Sequence, residues 1–307
     1  MRVLVTGSSG LLGRPLCEAF RARGDVVDEF DLAPRPDRTR PSSFRSRDIR
    51  DPNSLGAAVA QVDGVVHLAA ISRCAPAEAD PAMAREINVG GTHNVLEALR
   101  AARRPSWFVF ASSREVYGEA ITLPVTEMFP VRPKAVYGQT KADGEAEVRR
   151  AAESTPRPST ILRFSNLYGS RWDYADRVIP AFVSRARRND PLEVRGPGQV
   201  LDFLDVRDAV GAILRAADRS TASGGGVEVV NVASGQPFTL RELADRVVRL
   251  TGSHSTVREV APVAWTPSKF VADISRARSV LGWEPSIPLD QGLADLSAEY
   301  AAAPAAG

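Results

Sequence analysis

Cysteine, histidine and lysine are all scarce in this chain, and each scarcity removes a class of chemistry. Two cysteines, Cys17 and Cys74, do not support a disulfide framework. Three histidines, set among so few thiols, leave no Cys/His cluster with metal-ligand spacing. Only three of the 39 basic residues are lysine, namely Lys134, Lys141 and Lys269. Arginine excess is most simply a genomic bias, yet it makes each lysine worth inspecting. No stretch approaches the ~20 apolar residues of a membrane span. The first strand starts at residue 2, leaving no room for a signal peptide, so the cytoplasm is the expected compartment. A formal net charge of +2 gives no reason to expect a nucleic-acid or membrane partner. What remains is an ordinary soluble composition, 44% hydrophobic and 25% charged.

The pattern along the chain alternates strand with helix. Apolar segments at Arg2–Thr6, Val26–Phe30, Val62–Ala69, Trp107–Ala111 and Thr160–Phe164 read as strands, and Phe44–Arg47 as a further one. Between them, helices are predicted over Leu11–Arg23, Asp51–Ala60, Asp80–Arg103 (interrupted by Gly90-Gly91) and Tyr137–Glu153. Cys17 falls on the apolar side of the first helix and reads as a core residue. Such alternation implies right-handed crossovers, hence a Rossmann-type, doubly wound parallel sheet. After Asn166 the rhythm loosens into helices at Val178–Arg188 and Val206–Asp218 and strands at Leu192–Arg195 and Val227–Val230. Thr239 and Glu242 form a capping box ahead of a helix to Leu250, and the tail Ala301–Gly307 is expected to fray. These later pieces read as a smaller α/β substrate-binding lobe. The dinucleotide-binding domain would take 1–165 plus about 203–235, and the lobe about 166–202 and 236–307.

Two spacings carry chemistry. Gly7, Gly10 and Gly13 punctuate the turn from the first strand into the first helix. That is where a tight turn, a close backbone approach to pyrophosphate and a helix N-terminus are needed together. Asp31 ends the second strand about 20 residues on, the place of a carboxylate that binds a ribose 2′-hydroxyl. A carboxylate there repels a 2′-phosphate, so NAD is expected over NADP, with Arg35 keeping NADP open. The second spacing is Tyr137-x-x-x-Lys141 at a helix start, which sets phenol and ammonium on one face. An ammonium beside a phenol favours phenolate, and such a tyrosine takes the proton from a carbinol as hydride leaves.

With these in place the chain resembles, over nearly its full length, the extended short-chain dehydrogenases/reductases, in particular the nucleotide-sugar epimerase/dehydratase family. The residues that carry the resemblance are the glycine turn, His67-Leu68-Ala69-Ala70, Asn88-Val89-Gly90-Gly91-Thr92, Ser112-Ser113-Arg114-Glu115-Val116-Tyr117-Gly118 and the Tyr137/Lys141 pair. Further along come Arg163-Phe164-Ser165-Asn166-Leu167-Tyr168-Gly169, Asp202-Phe203, Ala272-Asp273-Ile274-Ser275 and Leu281-Gly282-Trp283-Glu284-Pro285. The resemblance implies that Tyr137 is the acid/base, that Lys141 binds the nicotinamide ribose, and that Ser113 bonds the reacting hydroxyl. It implies a cofactor held by Gly7, Gly10, Leu11, Leu12, Gly13 and Asp31, with Asp48 and Ile49 at the adenine end. Leu68, Ala69 and Ala70 would line it, Asn88 would brace the active-site helix at the cofactor site, and Asn166 would contact substrate phosphates. A homodimer through the Asp80–Arg103 and Tyr137–Glu153 helices is implied in the same way.

The pattern bends in two places. Family 4,6-dehydratases carry an acid where this chain has Arg114, and a guanidinium with a pKa above ~12 cannot protonate a leaving hydroxyl. Glu115 is retained, either as a catalytic carboxylate, as in family dehydratases and decarboxylases, or as an ion-pair partner. Two arginines that grip the diphosphate in many relatives are replaced by Leu201 and, by rough register, Val263. The leading expectation is an NAD-dependent nucleotide-sugar 4-epimerase acting through a transient keto-sugar. Dehydratase, decarboxylase, keto-reductase or a dehydrogenase of non-nucleotide sugars remain open, as does a non-catalytic NAD sensor.

Overall fold

The computed structural model describes residues 1–33, 46–102, 104, 107–155, 157–222, 225–262 and 267–302. In chain order the first half holds β1 (Arg2–Thr6), α1 (Gly13–Ala22), β2 (Val26–Phe30), α2 (Pro52–Val59), β3 (Gly64–His67), α3 (Cys74–Ala79), α4 (Pro81–Arg85), α5 (Gly91–Ala101), β4 (Trp107–Ser113), α6 (Val136–Ser154) and β5 (Pro158–Phe164). The second half holds β6 (Asn166–Tyr168), α7 (Val178–Arg187), β7 (Leu192–Arg195), β8 (Val200–Leu201), β9 (Phe203–Asp205), α8 (Val206–Ala222), β10 (Gly226–Val232), β11 (Phe238–Thr239), α9 (Leu240–Thr251), β12 (Val257–Val260) and α10 (Leu289–Ala302).

Six strands form one parallel sheet in the order β10-β5-β4-β3-β1-β2. The central strands β3 and β4 are buried at every position, which is why Val65-Val66 and Trp107-Phe108-Val109-Phe110 read as unbroken apolar runs. One face packs Leu16, Phe20, Ala209 and Ile213 from α1 and α8 against Val3, Val5 and Val109. The other face packs Leu55, Val59, Val95 and Leu99 from α2 and α5 against Leu4, Val65 and Phe108. A further core joins α7, α9 and α10 through Phe182, Leu243 and Leu293. Its helix α9 starts with the predicted capping box, Thr239 and Glu242 exchanging both bonds. From β1 the chain steps outward to β2 and then back across to β3. The sheet therefore reverses direction between β1 and β3, and a crevice opens beyond their C-terminal ends.

Several segments differ from the sequence reading. The single helix expected over Asp80–Arg103 is α4, a π turn at Glu86–Gly90, and α5, with Asp80 accepting from the Met83 N–H at 3.0 Å. The interruption is thus an extra residue in the ladder rather than a break at the glycine pair. Ser46 and Arg47 are not in a strand, while Phe44 and Arg45 lie outside the described residues, as do Arg35–Ser43, Arg103, Val263 and 303–307. Helices α3 and α10 and the short strands β6, β8, β9, β11 and β12 are additions that the sequence reading lacked.

Candidate active site

The glycine turn builds one wall of the crevice. Gly7 adopts φ +72° and donates its N–H to the Phe30 carbonyl at 2.9 Å. A Cβ there would lie 2.7 Å from the Ala69 nitrogen, and one on Gly13 would lie 2.1 Å from the Gly7 oxygen. Only bare backbone fits, and it leaves the start of α1 open towards the crevice. Asp31 accepts from the Ser9 N–H at 2.9 Å, so its carboxylate is fixed beside the turn. Asp48 is held by Arg50 through Nη2 at 2.6 Å, and this guanidinium keeps its carboxyl below the usual range. Gly7, Gly10, Leu11, Leu12, Gly13, Asp31, Asp48, Ile49, Leu68, Ala69 and Ala70 all line one cleft of about 760 Å³.

Asn88 stands apart from that wall. It is buried behind it, accepting from the Ile71 N–H at 2.7 Å and donating to the Ile71 carbonyl and to Thr140 Oγ1. It ties the π turn to α6 and is not among the residues that line the cleft. His67 has a comparable fixing role, with Thr6 Oγ1 at 2.7 Å and Thr92 Oγ1 at 3.0 Å on its two nitrogens. Burial pushes its pKa down to about 3, so the ring is neutral.

At the far end of the same cleft, β4 and α6 bring Ser113, Tyr137 and Lys141 together. Lys141 donates to the Ala111 carbonyl at 2.8 Å, and its ammonium lies 5.0 Å from the centre of the Phe110 ring. Burial pulls its pKa down to about 8, opposed by the Glu145 carboxylate. Glu145 is itself gripped by Arg163 at 2.6 and 2.8 Å and by Ser112 Oγ at 2.6 Å. Tyr137 differs from the sequence expectation. Burial is the largest influence and raises the phenol pKa, while a hydrogen bond with Ser113 and the charge of Arg177 pull the other way. The ammonium of Lys141, which donates to the Ala111 carbonyl, is not among the main influences on the phenol.

Glu115 is ion-paired with Arg114 at 2.7 Å, both side chains being about nine-tenths buried. Arg114 Nε donates to Asn166 Oδ1 at 3.2 Å, and Asn166 donates in turn to the Asp202 carbonyl. The sequence reading passed over much of the remaining lining. Arg73 and Cys74 come from the start of α3, and Trp172, Asp173, Tyr174 and Arg177 from the loop ahead of α7. Arg73 sits 3.9 Å over the Tyr174 ring and pairs with Asp176 at 2.5 Å, joining the two sides of the cleft. Burial pushes the Cys74 thiol up to about 12, so it is no thiolate nucleophile near neutral pH. The arginines of that loop, Arg171 and Arg177, are the sequence signal that could have pointed here.

The doubly wound sheet, glycine turn and Ser/Tyr/Lys cleft define a Rossmann-type short-chain dehydrogenase/reductase. The chain belongs to the NAD-dependent epimerase/dehydratase family, whose model matches residues 3–233. It is 31% identical over 300 residues to a putative UDP-glucose 4-epimerase of Methanocaldococcus jannaschii, covering 95% of each chain. It is 30% identical over 306 residues to UDP-glucuronic acid decarboxylase 2 of Arabidopsis thaliana, covering 95% of this chain and 66% of that longer one. Among solved structures, MoeE5 in complex with UDP-glucuronic acid and NAD superposes with a TM-score of 0.88 at 28% identity, covering 98% of this chain and 99% of that one. The protein is an NAD-dependent enzyme. No helix among the described residues is long and apolar enough to cross a membrane.

Proposed function

We propose that this chain is a nucleotide-sugar 4-epimerase. The observation that carries this reading is the Arg114–Glu115 ion pair, 2.7 Å long, beside Ser113 and Tyr137. A guanidinium replaces the acid that elimination of water needs, and it occupies the carboxylate that remains. The intact Ser113, Tyr137 and Lys141 are left to do oxidation and its reverse.

The glycine turn and Asp31 fit NAD, since a Cβ on Gly7 or Gly13 would collide with the backbone that shapes the turn and the carboxylate suits a ribose diol. NAD when bound supplies the hydride acceptor and, in the return step, the donor. Ser113 and Tyr137 hold the carbinol oxygen between them, and Tyr137 receives its proton and later restores it. Lys141 keeps positive charge at the buried end of the cleft. The keto-sugar turns between the two steps, so hydride returns to its other face. A UDP-sugar is the expected substrate, by likeness to the relatives named above. A decarboxylase outcome is the second reading, favoured by the retained Glu115 and by the likeness to the Arabidopsis decarboxylase.

The test is incubation with a panel of UDP-, dTDP-, GDP- and ADP-sugars and only trace NAD. A new isomer of unchanged mass is the expected product. Loss of carbon dioxide or water, or consumption of stoichiometric NADH, would sink the epimerase reading.

A further inference from the structure

Arg114 has more hydrogen-bonding capacity than its neighbours use. Its guanidinium offers donors on three nitrogens. Nε goes to Asn166 Oδ1 at 3.2 Å, and Nη2 goes to Glu115 Oε1 at 2.7 Å. Nη1 is buried and has no partner among the described residues. The guanidinium carbon lies 5.7 Å from the centre of the Phe270 ring. A buried cationic nitrogen without an acceptor is costly, and in a residue that lines a cleft a bound ligand is one way to complete it. Arg114 lines the catalytic cleft and directly follows Ser113, so that ligand is the molecule being oxidised.

The kind of acceptor follows from charge. The two N–H groups of Nη1 form one end of a planar cation, which bonds most strongly to an oxyanion. Glu115 is tied to Nη2, so a ligand carboxylate on Nη1 would share the guanidinium from a different nitrogen. Arg177, itself paired with Asp173 at 3.2 Å, is a second cation on this side of the cleft, and its charge is felt by both Tyr137 and Cys74. A phosphate is the other common oxyanion. Arg114 also bonds Asn166, the residue expected at the substrate phosphates, so the test below separates the two; the carboxylate is favoured because Arg114 directly follows Ser113, which with Tyr137 holds the reacting carbinol.

We propose that Arg114 is a specificity-determining residue, whose Nη1 receives a carboxylate carried on the sugar ring, and that the enzyme takes acidic nucleotide sugars in preference to neutral ones. This rests on the reading of the substrate as a nucleotide sugar.

Calorimetric binding to the NAD-loaded enzyme tests it, with UDP-glucuronic acid, UDP-glucose and UDP as the three probes. The wild type is expected to bind UDP-glucuronic acid at least about 10-fold more tightly than UDP-glucose. Arg114→Met is expected to cut that ratio about 10-fold or more, as removal of a buried charged partner does. Arg114→Lys, which keeps the charge in a chain less prone to misfold, is expected to cut it by less. Equal loss for both sugars and for UDP would place Arg114 on the diphosphate and overturn the proposal. An unchanged ratio in both variants would make the residue only a structural partner of Glu115, and overturn it too. The readout is affinity rather than product, so a failed epimerase assay leaves this result standing. If the wild type binds none of the three probes, the reading of the substrate as a UDP-sugar falls and takes the proposal with it.

Discussion

The two sides of the cleft are built from different materials. On the cofactor side, shape comes from backbone. A left-handed Gly7, a methyl-intolerant Gly13 and a fixed Asp31 lie within one strand-turn-helix-strand unit. Both carboxylates on that side, Asp31 and Asp48, already have partners. The sugar side is made of long side chains drawn from β4, α6, the segment after β5 and the loop ahead of α7. Three of its lining residues hold a buried polar atom without a partner, at Arg114 Nη1, Ser165 Oγ and Asp173 Oδ2. Among the described residues the cofactor side leaves one such atom, Ser8 Oγ behind the glycine turn, against three on the sugar side. A family that keeps one cofactor and varies its chemistry can do so by changing single side chains on the second side alone.

Substitutions on each side break this contrast in measurable ways. The largest effect is expected from Tyr137→Phe, which removes only the oxygen that carries the proton. Turnover should fall about 10³-fold or more, as general acid–base groups commonly contribute 10²–10⁴. NAD binding, followed by fluorescence titration, should hardly move, because the other side is untouched. If turnover survives, the proton passes through another group, and the raised pKa of this buried phenol would be the reason. A smaller effect is expected from Asp31→Ala, where the Ser9 N–H loses its acceptor and a 2′-phosphate loses its repulsion. The preference for NADH over NADPH should fall about 10-fold in a direct binding comparison. If the native enzyme already binds NADPH more tightly, Asp31 merely ends a strand.

The same contrast explains what the sequence made legible. The glycine turn and Asp31 could be read because their determinants are local, and the buried strands because both faces demand apolar residues. The capping box of α9 was legible for the same reason. The π turn at Glu86–Gly90 was not, since one inserted residue leaves the helical apolar pattern nearly intact. Asn88 could be named as a brace by resemblance, but its partner Thr140 lies 52 residues away. Short strands such as β8 and β11 exist through each other, Phe238 facing Leu201, and no two-residue segment announces that alone. Arg114 was visible as a departure from the dehydratase pattern. Its unpartnered nitrogen becomes visible only once Asn166 and Phe270 fold against it. Side chains that meet across the fold carry the specificity, and local patterns are silent about them.

The smallest effect separates two kinds of glycine. Gly56 lies in the middle of α2, and a Cβ added there meets nothing within 4 Å. The same methyl on Gly13 would collide with the Gly7 carbonyl. Glycine inside a helix costs about 0.5–1 kcal/mol relative to alanine, through the backbone freedom that folding removes. Gly56→Ala should therefore stabilise the fold by about that amount and raise Tm by about 1–2 °C. Gly56 is not among the residues that line the cleft, so NAD affinity should stay as it is. Thermal unfolding followed by circular dichroism is sensitive enough to read the shift. A lower Tm would mean that Gly56 needs bare backbone as Gly7 and Gly13 do, and that close packing around glycine extends beyond the wall that holds the cofactor.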